Sequence, residues 1–222
     1  MGPSTPGAPT TPIRRTEGSF CKHLRIAPRI FAERTYRTST SGTSRVRAPI
    51  VSPMPLGLRP FQINDEAAAL CGHAAMKVDD FRLLLDWAEG DQWAEYLARL
   101  NDQRRGLNLG EDHVRAALLA ADVDGVLVGR TSVRFQLNEL LALRGGHIGY
   151  CVLPEFRQKG YATEILRQAL VIARSEGVTR VLMVCDDDNA ASAATIERCG
   201  GALDTVVQAG DGDVAFRRYW ID

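Results

Sequence analysis

The sequence VLPEFRQKGYA, residues 152–162, joins an apolar strand to an amphipathic helix through a short turn. Gly160 and Ala162 have no side-chain atoms beyond Cβ, so the main chain can approach a ligand closely at both positions. The helix that begins here directs the positive end of its dipole toward the turn. The turn is therefore predicted to bind an anion, such as a phosphate, on its main-chain amides.

The segments around this turn have the periodicity of strands and helices. Residues 147–153 read as a strand, and residues 161–176 place apolar side chains at offsets of 3, 4, 7, 8 and 11, which predicts one buried helical stripe ending at Gly177. Residues 181–185 form a continuous apolar strand, and the helix that follows ends at Gly200-Gly201.

The remaining elements complete an α/β pattern. They are a strand at 58–62, a helix opening at 64–66, one broken helix or two over 79–105, a hairpin of 114–122 and 126–137 around Asp124-Gly125, and strands near 203–208 and 215–221. This order predicts a mixed central sheet with helices on both faces, in which the helix after the turn links a central parallel pair of strands.

The N-terminal region differs from this pattern. Residues 1–60 hold ten Lys and Arg against two acids, a net +8, whereas the remainder carries −8. We predict that residues 1–53 are a disordered basic tail rich in Pro, Ser, Thr and Arg, and that residues 54–222 form the folded domain. The tail is also compatible with a nucleic-acid or membrane-surface arm, a targeting peptide, or an extension upstream of a start at Met54.

Two motifs resemble the Gcn5-related N-acetyltransferase (GNAT) superfamily. The family's acetyl-CoA loop, Arg/Gln-x-x-Gly-x-Gly/Ala, is matched by Arg157, Gly160 and Ala162. The Asn-x-x-Ala/Ser element that closes over the pantetheine arm is matched by Asn189 and Ser192. A dinucleotide site would instead require GxGxxG after the strand and an acid about 20 residues later.

The resemblance implies an acyl-CoA N-acyltransferase fold with acetyl-CoA as the acetyl donor. It assigns the pyrophosphate to the loop amides and the pantetheine to the last strand residues before the loop and to the Asn element. The implied cofactor-binding residues are Cys151, Val152, Leu153, Arg157, Gln158, Lys159, Gly160, Tyr161, Ala162, Asn189 and Ser192. Alternatively, Arg157 and Lys159 are merely solvated, and Asn189 and Ser192 are a helix cap and a first-turn residue.

The implied chemistry is direct attack of a neutral primary amine on the thioester, with the oxyanion bonded to a main-chain amide near Val152. His147 is the first candidate for the general base, because its unperturbed pKa lies near 6.5. Its competing interpretation is a structural histidine bonded to the backbone beside Gly145-Gly146. Asp187 and Glu139 are reserve candidates.

The general acid is less well defined. Many relatives place a tyrosine in the last helix to protonate the departing sulfur, and the aligned position here is Ile196. Tyr150 and Tyr219 are the alternatives, although an aromatic residue on a strand more often serves packing. The missing tyrosine leaves open a second function, a CoA-binding regulatory or catalytically degenerate protein.

The remaining predictions concern partners. The acceptor is an amine on a small molecule or a protein, shaped by residues 64–105, the 134–144 link and the final strands, where two copies could also pair as a homodimer. Nucleic acid is disfavoured by the −8 domain. We expect no metal, because the four histidines lack zinc-site spacing. The sequence contains no membrane-length apolar run, so a soluble, cytoplasmic protein is expected.

Overall fold

The computed structural model describes residues 56–208 and 214–222, and the predicted tail and Met54 lie outside these residues. Within them the α/β class is confirmed, since strands and helices follow the predicted order. The strands are β1 (Leu56–Pro60), β2 (Ala116–Val123), β3 (Val126–Arg134), β4 (Ile148–Val152), β5 (Val181–Asp186), β6 (Ala202–Val207) and β7 (Phe216–Ile221). The α-helices are α1 (Glu66–Met76), α2 (Trp93–Arg105), α3 (Tyr161–Ser175) and α4 (Ala190–Arg198).

The described strands form two antiparallel sheets, ordered β1-β2-β3-β4 and β5-β7-β6. Helices cover both faces of the first sheet. Alternate residues of β4 show this arrangement, because Cys151 packs in the cluster beneath α1 and α2, whereas Ile148 packs in the cluster beneath α3. Helix α4 packs against α3 and β5.

The predicted parallel pair, β4 and β5, does not form a continuous ladder, because the two strands belong to different sheets. They meet at one end, where His147 N–H donates to Leu182 O at 2.8 Å. Gly146 permits this approach, since its φ is +66° and a Cβ there would lie 2.7 Å from Leu182 O. Away from this end, a cleft separates the two strands.

Two local predictions are confirmed. The β2–β3 hairpin turns at Asp124 and Gly125, whose φ angles of 52° and 82° are those of a tight turn with two left-handed residues. Helix α3 begins at the predicted residue and buries one apolar stripe, and Gly177 after it has φ of 91°. Both features depend on local sequence, which explains why the sequence predicts them.

The predicted helix over residues 79–105 is wrong in its first half. Residues 80–92 form turns and irregular structure, and the helix begins only at Trp93. The apolar spacing arises because Leu83 and Leu84 are fully buried. Trp87 packs edge-on against Trp93 and Tyr96 at ring-centroid distances of 5.7 and 5.1 Å. The apolar periodicity there reflects tertiary burial and not a helix.

Side chains from other elements satisfy the main chain of this irregular segment. Tyr96 Oη donates to Leu85 O at 2.9 Å, and Leu84 N–H donates to His73 Nδ1 at 3.1 Å. Arg130 donates to the carbonyls of Arg82 and Leu83. These bonds replace those that a helix would supply within itself.

Candidate acetyl-CoA site

A cavity of about 880 Å³ lies in the cleft between β4 and β5 and reaches the N-terminal ends of α3 and α4. Its walls are formed by residues 76–81, Arg144, strand β4, the turn 156–163 and residues 183–198. The predicted anion-binding turn and the predicted pantetheine element therefore face one space, although nearly 30 residues separate them in sequence.

The turn before α3 presents main-chain amides to this cavity. Gly160 is the N-cap, with φ of 80° and no side-chain capping bond, and the first bond within the helix is Glu164 N–H to Gly160 O at 3.3 Å. The amides of Tyr161, Ala162 and Thr163 consequently have no partner within the helix. All three residues line the cavity. The geometry is that of an anion site at a helix N-terminus.

Strand β4 offers only alternate residues to the cleft. Leu153 N–H donates to Val128 O at 2.9 Å and Arg134 N–H donates to His147 O at 2.7 Å, which places the odd-numbered residues in the bonded pairs with β3. The main-chain groups of Tyr150 and Val152 therefore point away from β3. The prediction that the main chain of Cys151 and Leu153 also binds pantetheine is not supported, because β3 already uses those groups.

The two basic side chains of the turn do not point at the amide site. Arg157 donates from Nε to Val152 O at 3.2 Å and from a terminal nitrogen to the Asp79 carboxylate. Lys159 Nζ donates to Glu155 O at 3.3 Å and lies over the Phe156 ring. Arg157 thus connects the turn to the wall at Asp79 in this structure.

Asn189 caps α4, accepting the Ser192 N–H at Oδ1 over 3.0 Å, and both residues line the cavity. The capping interpretation therefore describes the geometry, and the Asn189 Nδ2 atom takes no part in that bond. Ser192 Oγ lies 3.1 Å from Tyr150 Oη, across the cleft. Burial raises the pKa of Tyr150, so its hydroxyl stays protonated at neutral pH.

His147 does not occupy the position that the base hypothesis requires. Its Nδ1 accepts the Leu182 N–H at 2.9 Å, which places the ring proton on Nε2 in the neutral form. Burial lowers the pKa of His147, and the residue is absent from the described cavity lining. The structural interpretation is therefore favoured, and the general-base prediction is not supported.

The structure also shows which of the other base and acid candidates reach the cavity. Asp187 Oδ1 accepts from Arg217 Nε at 2.7 Å, and Glu139 is exposed outside the cavity lining. Ile196 and Tyr219 are both 0 % exposed in the core beneath α3, and Tyr219 donates to Glu197. Tyr150 is therefore the candidate acid that reaches the cavity.

The cavity wall at Asp79, Asp80 and Phe81 has no individual role among the sequence predictions. The broader region 64–105 was expected to shape the acceptor side, and its apolar pattern was attributed to a helix. The sequence feature that could have indicated this wall is the pair of acids, Asp79 and Asp80, before Phe81. Acids are equally common in the first turn of a helix, so the pair does not distinguish a cavity wall from a helix start.

The fold and this cavity agree with a family comparison. The model of the acetyltransferase (GNAT) domain matches residues 56–202, more than half of the chain. The chain belongs to the GNAT acetyltransferase family. It is consequently an acyltransferase.

Solved GNAT structures share the fold at low sequence identity. RimJ of Mycobacterium smegmatis, in complex with CoA-disulfide, is 19% identical with a TM-score of 0.56 over 75% of this chain and 81% of that one. Salmonella typhimurium yncA, with acetyl-CoA, is 15% identical with a TM-score of 0.52 over 75% and 93%. RimL, a ribosomal L7/L12 alpha-N-protein acetyltransferase, is 22% identical with a TM-score of 0.53 over 82% and 98%. No curated protein sequence matches this GNAT chain.

Across residues 56–208 and 214–222, no group of three or more His, Cys, Asp or Glu side chains is arranged to hold a metal ion. None of the helices in the same residues combines the length and apolar character needed to cross a membrane.

Proposed function

We propose that this chain transfers an acetyl group from acetyl-CoA to a primary amine by direct attack of the amine on the thioester. One observation carries the proposal: the amides at the start of α3, which have no partner within the helix, and the edge of β4 that does not pair with β3 face the same cavity. The first can bind a pyrophosphate and the second an extended amide-containing chain, and CoA contains both groups in that order.

The donor would bind along β4 from the turn toward the joint between the sheets. Tyr161, Ala162 and Thr163 would donate their amides to the pyrophosphate. The pantetheine amides would pair with the Val152 N–H and the Tyr150 carbonyl, as an added strand would, since Val152 O already accepts from Arg157 Nε. Asn189 would contact the same arm through Nδ2, while its Oδ1 continues to cap α4.

The pantetheine amides lie between the pyrophosphate and the thioester, so Val152, next to the turn, would pair with the arm. The Tyr150 amide, further along β4, is the N–H suited to stabilise the oxyanion of the tetrahedral intermediate, since it also points into the cleft. A fixed main-chain donor at this position stabilises charge that develops only in the transition state. The amine nitrogen forms the new bond to the carbonyl carbon and the carbon–sulfur bond breaks. The proton lost by the amine balances the one gained by the sulfur.

Tyr150 is the candidate donor to the departing thiolate. Its hydroxyl lies between β4 and α4, on Ser192 Oγ at 3.1 Å, at a point that the arm must pass. A hydrogen bond from this hydroxyl would stabilise the thiolate, and Ser192 Oγ could donate to the Tyr150 oxygen at the same time. In this proposal the donor to the thiolate is on strand β4, whereas relatives of this family carry their tyrosine on the last helix.

The acceptor that the site supports best is an α-amine. Its pKa of about 8 leaves roughly a tenth of it neutral at pH 7, whereas a lysine-like amine at about 10.4 is neutral to less than a thousandth. An α-amine therefore needs less help from a base, which suits a cavity whose described lining contains no histidine. The name of RimL, an alpha-N-protein acetyltransferase, supports the same class.

Acetyl-CoA-dependent release of free thiol tests the proposal, with a panel of peptides with free N-termini, N-terminally blocked lysine peptides, polyamines and aminoglycosides. The expected result is turnover with the free N-terminal peptides. Binding of acetyl-CoA without turnover on any amine would favour the CoA-binding regulatory alternative, which the buried Ile196 also suggests. Failure to bind acetyl-CoA would contradict both.

A further inference from the structure

We propose that Arg130 is a positioning residue for the acceptor amine, because it ties Arg82 and Leu83 to β4, directly after Phe81 in the cavity wall. This inference rests on the proposed acetyl transfer. It concerns β3, to which neither motif nor the predicted chemistry assigned a functional residue.

The Arg130 guanidinium bonds three main-chain carbonyls from two separate segments. Nε donates to Leu83 O at 3.1 Å, and one terminal nitrogen donates to Arg82 O at 2.7 Å. The other terminal nitrogen donates to Gly149 O on β4 at 3.1 Å. The planar group also stacks on the Phe81 ring, 4.7 Å from its centroid. One side chain therefore fixes the distance between the 81–84 segment and β4.

Arg130 is a buried charge whose hydrogen bonds must all be satisfied by neighbouring groups. Arg130 is 2 % exposed and forms no ion pair with a carboxylate in the described parts of the chain. Burial lowers its pKa, and an unpaired buried charge is costly unless its hydrogen bonds are all made. An apolar side chain could fill the same buried space. What arginine adds at this position is therefore the set of three hydrogen bonds to main-chain carbonyls.

The segment that Arg130 holds faces the side from which an acceptor must approach. The donor would occupy the free edge of β4, and α3 and α4 close the face beneath it. Asp80 and Phe81 line the cavity, as does Gly149 on β4. An amine that reaches the thioester carbonyl would pass this wall. Loosening the wall should therefore weaken acceptor binding and leave donor binding intact.

Arg134 provides a matched control. It lies four residues further along β3, on the same face, and its guanidinium also bonds carbonyls. Those carbonyls belong to Gly145 and Gly146, at 3.4 and 3.2 Å, and not to the 81–84 segment. Lysine at either position keeps the charge but cannot reproduce a planar fork of donors.

The experiment compares wild type, Arg130→Lys, Arg130→Met and Arg134→Lys with acetyl-CoA bound. Hydrogen exchange is followed at the amides of residues 81–86 and of α3. Steady-state kinetics use the panel peptide that gives the fastest thiol release with the wild type. We expect both Arg130 variants to exchange faster at residues 81–86 and to raise the KM for the peptide about 10-fold, with the Kd for acetyl-CoA changed less than about twofold.

Each other outcome has a distinct meaning. Unchanged exchange at residues 81–86 in the Arg130 variants would overturn the inference, and this measurement requires no acceptor. Faster exchange with an unchanged peptide KM would reduce Arg130 to a structural role and also overturn it. Equally fast exchange at residues 81–86 in Arg134→Lys would remove the specificity of the effect and overturn it as well. A wild-type chain that does not bind acetyl-CoA would contradict the proposed function instead.

Discussion

The turn at residues 156–162 and the irregular segment at residues 80–92 both contribute to the cavity walls, but their main chains are organised differently. The turn depends on neighbours: Gly160 has positive φ and starts a helix, which leaves amides free for a ligand. The irregular segment depends on distant side chains, including Arg130, which is 47 positions from Leu83. Local sequence therefore encodes the donor side, and tertiary contacts form the opposite wall.

Gly160→Glu should produce the largest effect on the donor side, because it places bulk and negative charge beside the pyrophosphate. We expect acetyl-CoA affinity to fall about 100-fold or more, since like charges in contact cost several kcal/mol. The measurement is the shift in Tm on adding acetyl-CoA.

Gly177→Glu is the control for this substitution. Gly177 follows the other end of α3, with φ of 91° and open space where a Cβ would lie. Both variants should lose about 1 kcal/mol of stability from left-handed strain. Only Gly160→Glu should lose the acetyl-CoA shift, and a normal shift there would contradict the amide site.

Tyr150→Phe tests whether the Tyr150 hydroxyl on β4 lies at the reacting sulfur. Loss of the hydroxyl should raise the thiol pKa of bound CoA by about one unit and lower kcat about 10-fold, since a hydrogen bond to a charged group contributes about 1.5 kcal/mol or more. The thiol pKa is read from thiolate absorbance of the CoA complex and needs no acceptor.

Tyr219→Phe is the matched substitution, because that hydroxyl is buried on Glu197 outside the cavity lining. It should leave the bound thiol pKa unchanged. Equal thiol pKa values in wild type and Tyr150→Phe, with CoA bound to both, would remove Tyr150 from the mechanism.

Acid pH should weaken the structure through two histidines. His73 Nδ1 accepts the Leu84 N–H, and His147 Nδ1 accepts the Leu182 N–H. Burial lowers both pKa values, and nearby cations lower them further. The unfolded chain therefore binds protons first as the pH falls below about 6.5. The stability present above that pH is lost as the pH falls through the folded-state pKa values.

Urea midpoints at pH 7.5 and 5.5 measure this effect. His73→Gln and His147→Gln keep a hydrogen-bond acceptor without a titrating ring, so they should reduce the difference between the two midpoints. His113→Gln should preserve the difference, because its partner is the exposed Asp86 and its ring accepts no backbone amide in the described contacts. An undiminished difference in the double variant at 73 and 147 would contradict the assignment.

The smallest effect is expected at Asp79, where the turn and the opposite wall are joined by Arg157. The pair is exposed, so Asp79→Asn should change the free energy of unfolding by less than about 1 kcal/mol. It also releases Arg157 and removes a carboxylate near the phosphate site. We expect acetyl-CoA affinity to rise about two- to threefold.

Asp91→Asn breaks another arginine pair, with Arg99 at 2.6 Å, away from the cavity lining; Asp91 is partly buried and also accepts the Ala88 N–H. It should leave acetyl-CoA affinity unchanged in isothermal titration. Weaker binding in Asp79→Asn would mean that the link to the wall supports the donor site, and Arg157 would then have no role toward phosphate.

The contrast between the two regions also explains which sequence predictions succeeded. The positions of helix α3 and of the β2–β3 turn were predictable, because glycines, caps and apolar offsets act within a few residues. Residues 80–92 carry helical spacing, yet tertiary bonds to Tyr96, His73 and Arg130 hold them in another conformation. No local signal distinguishes these cases.

The candidate site shows the same division. The loop residues that line the cavity were predicted from the motif, but the pairing register of β4 decides which main-chain groups face it. That register excludes Cys151 and Leu153 and selects Tyr150 and Val152. For His147 the sequence left a catalytic and a structural role open, and only the contact with Leu182, 35 positions away, favours the structural one.

Gly146 gives the cleft a geometric property that no lining residue controls. The two sheets touch at this vertex, where a single added methyl group would lie 2.7 Å from the Leu182 carbonyl oxygen. Because β4 and β5 diverge from this point, a small separation of the sheets at Gly146 becomes a larger separation toward Val152, in proportion to the distance along the strand. The width of the cleft available to the donor thus depends on the absence of a Cβ atom at Gly146, at the end of the cleft away from Val152.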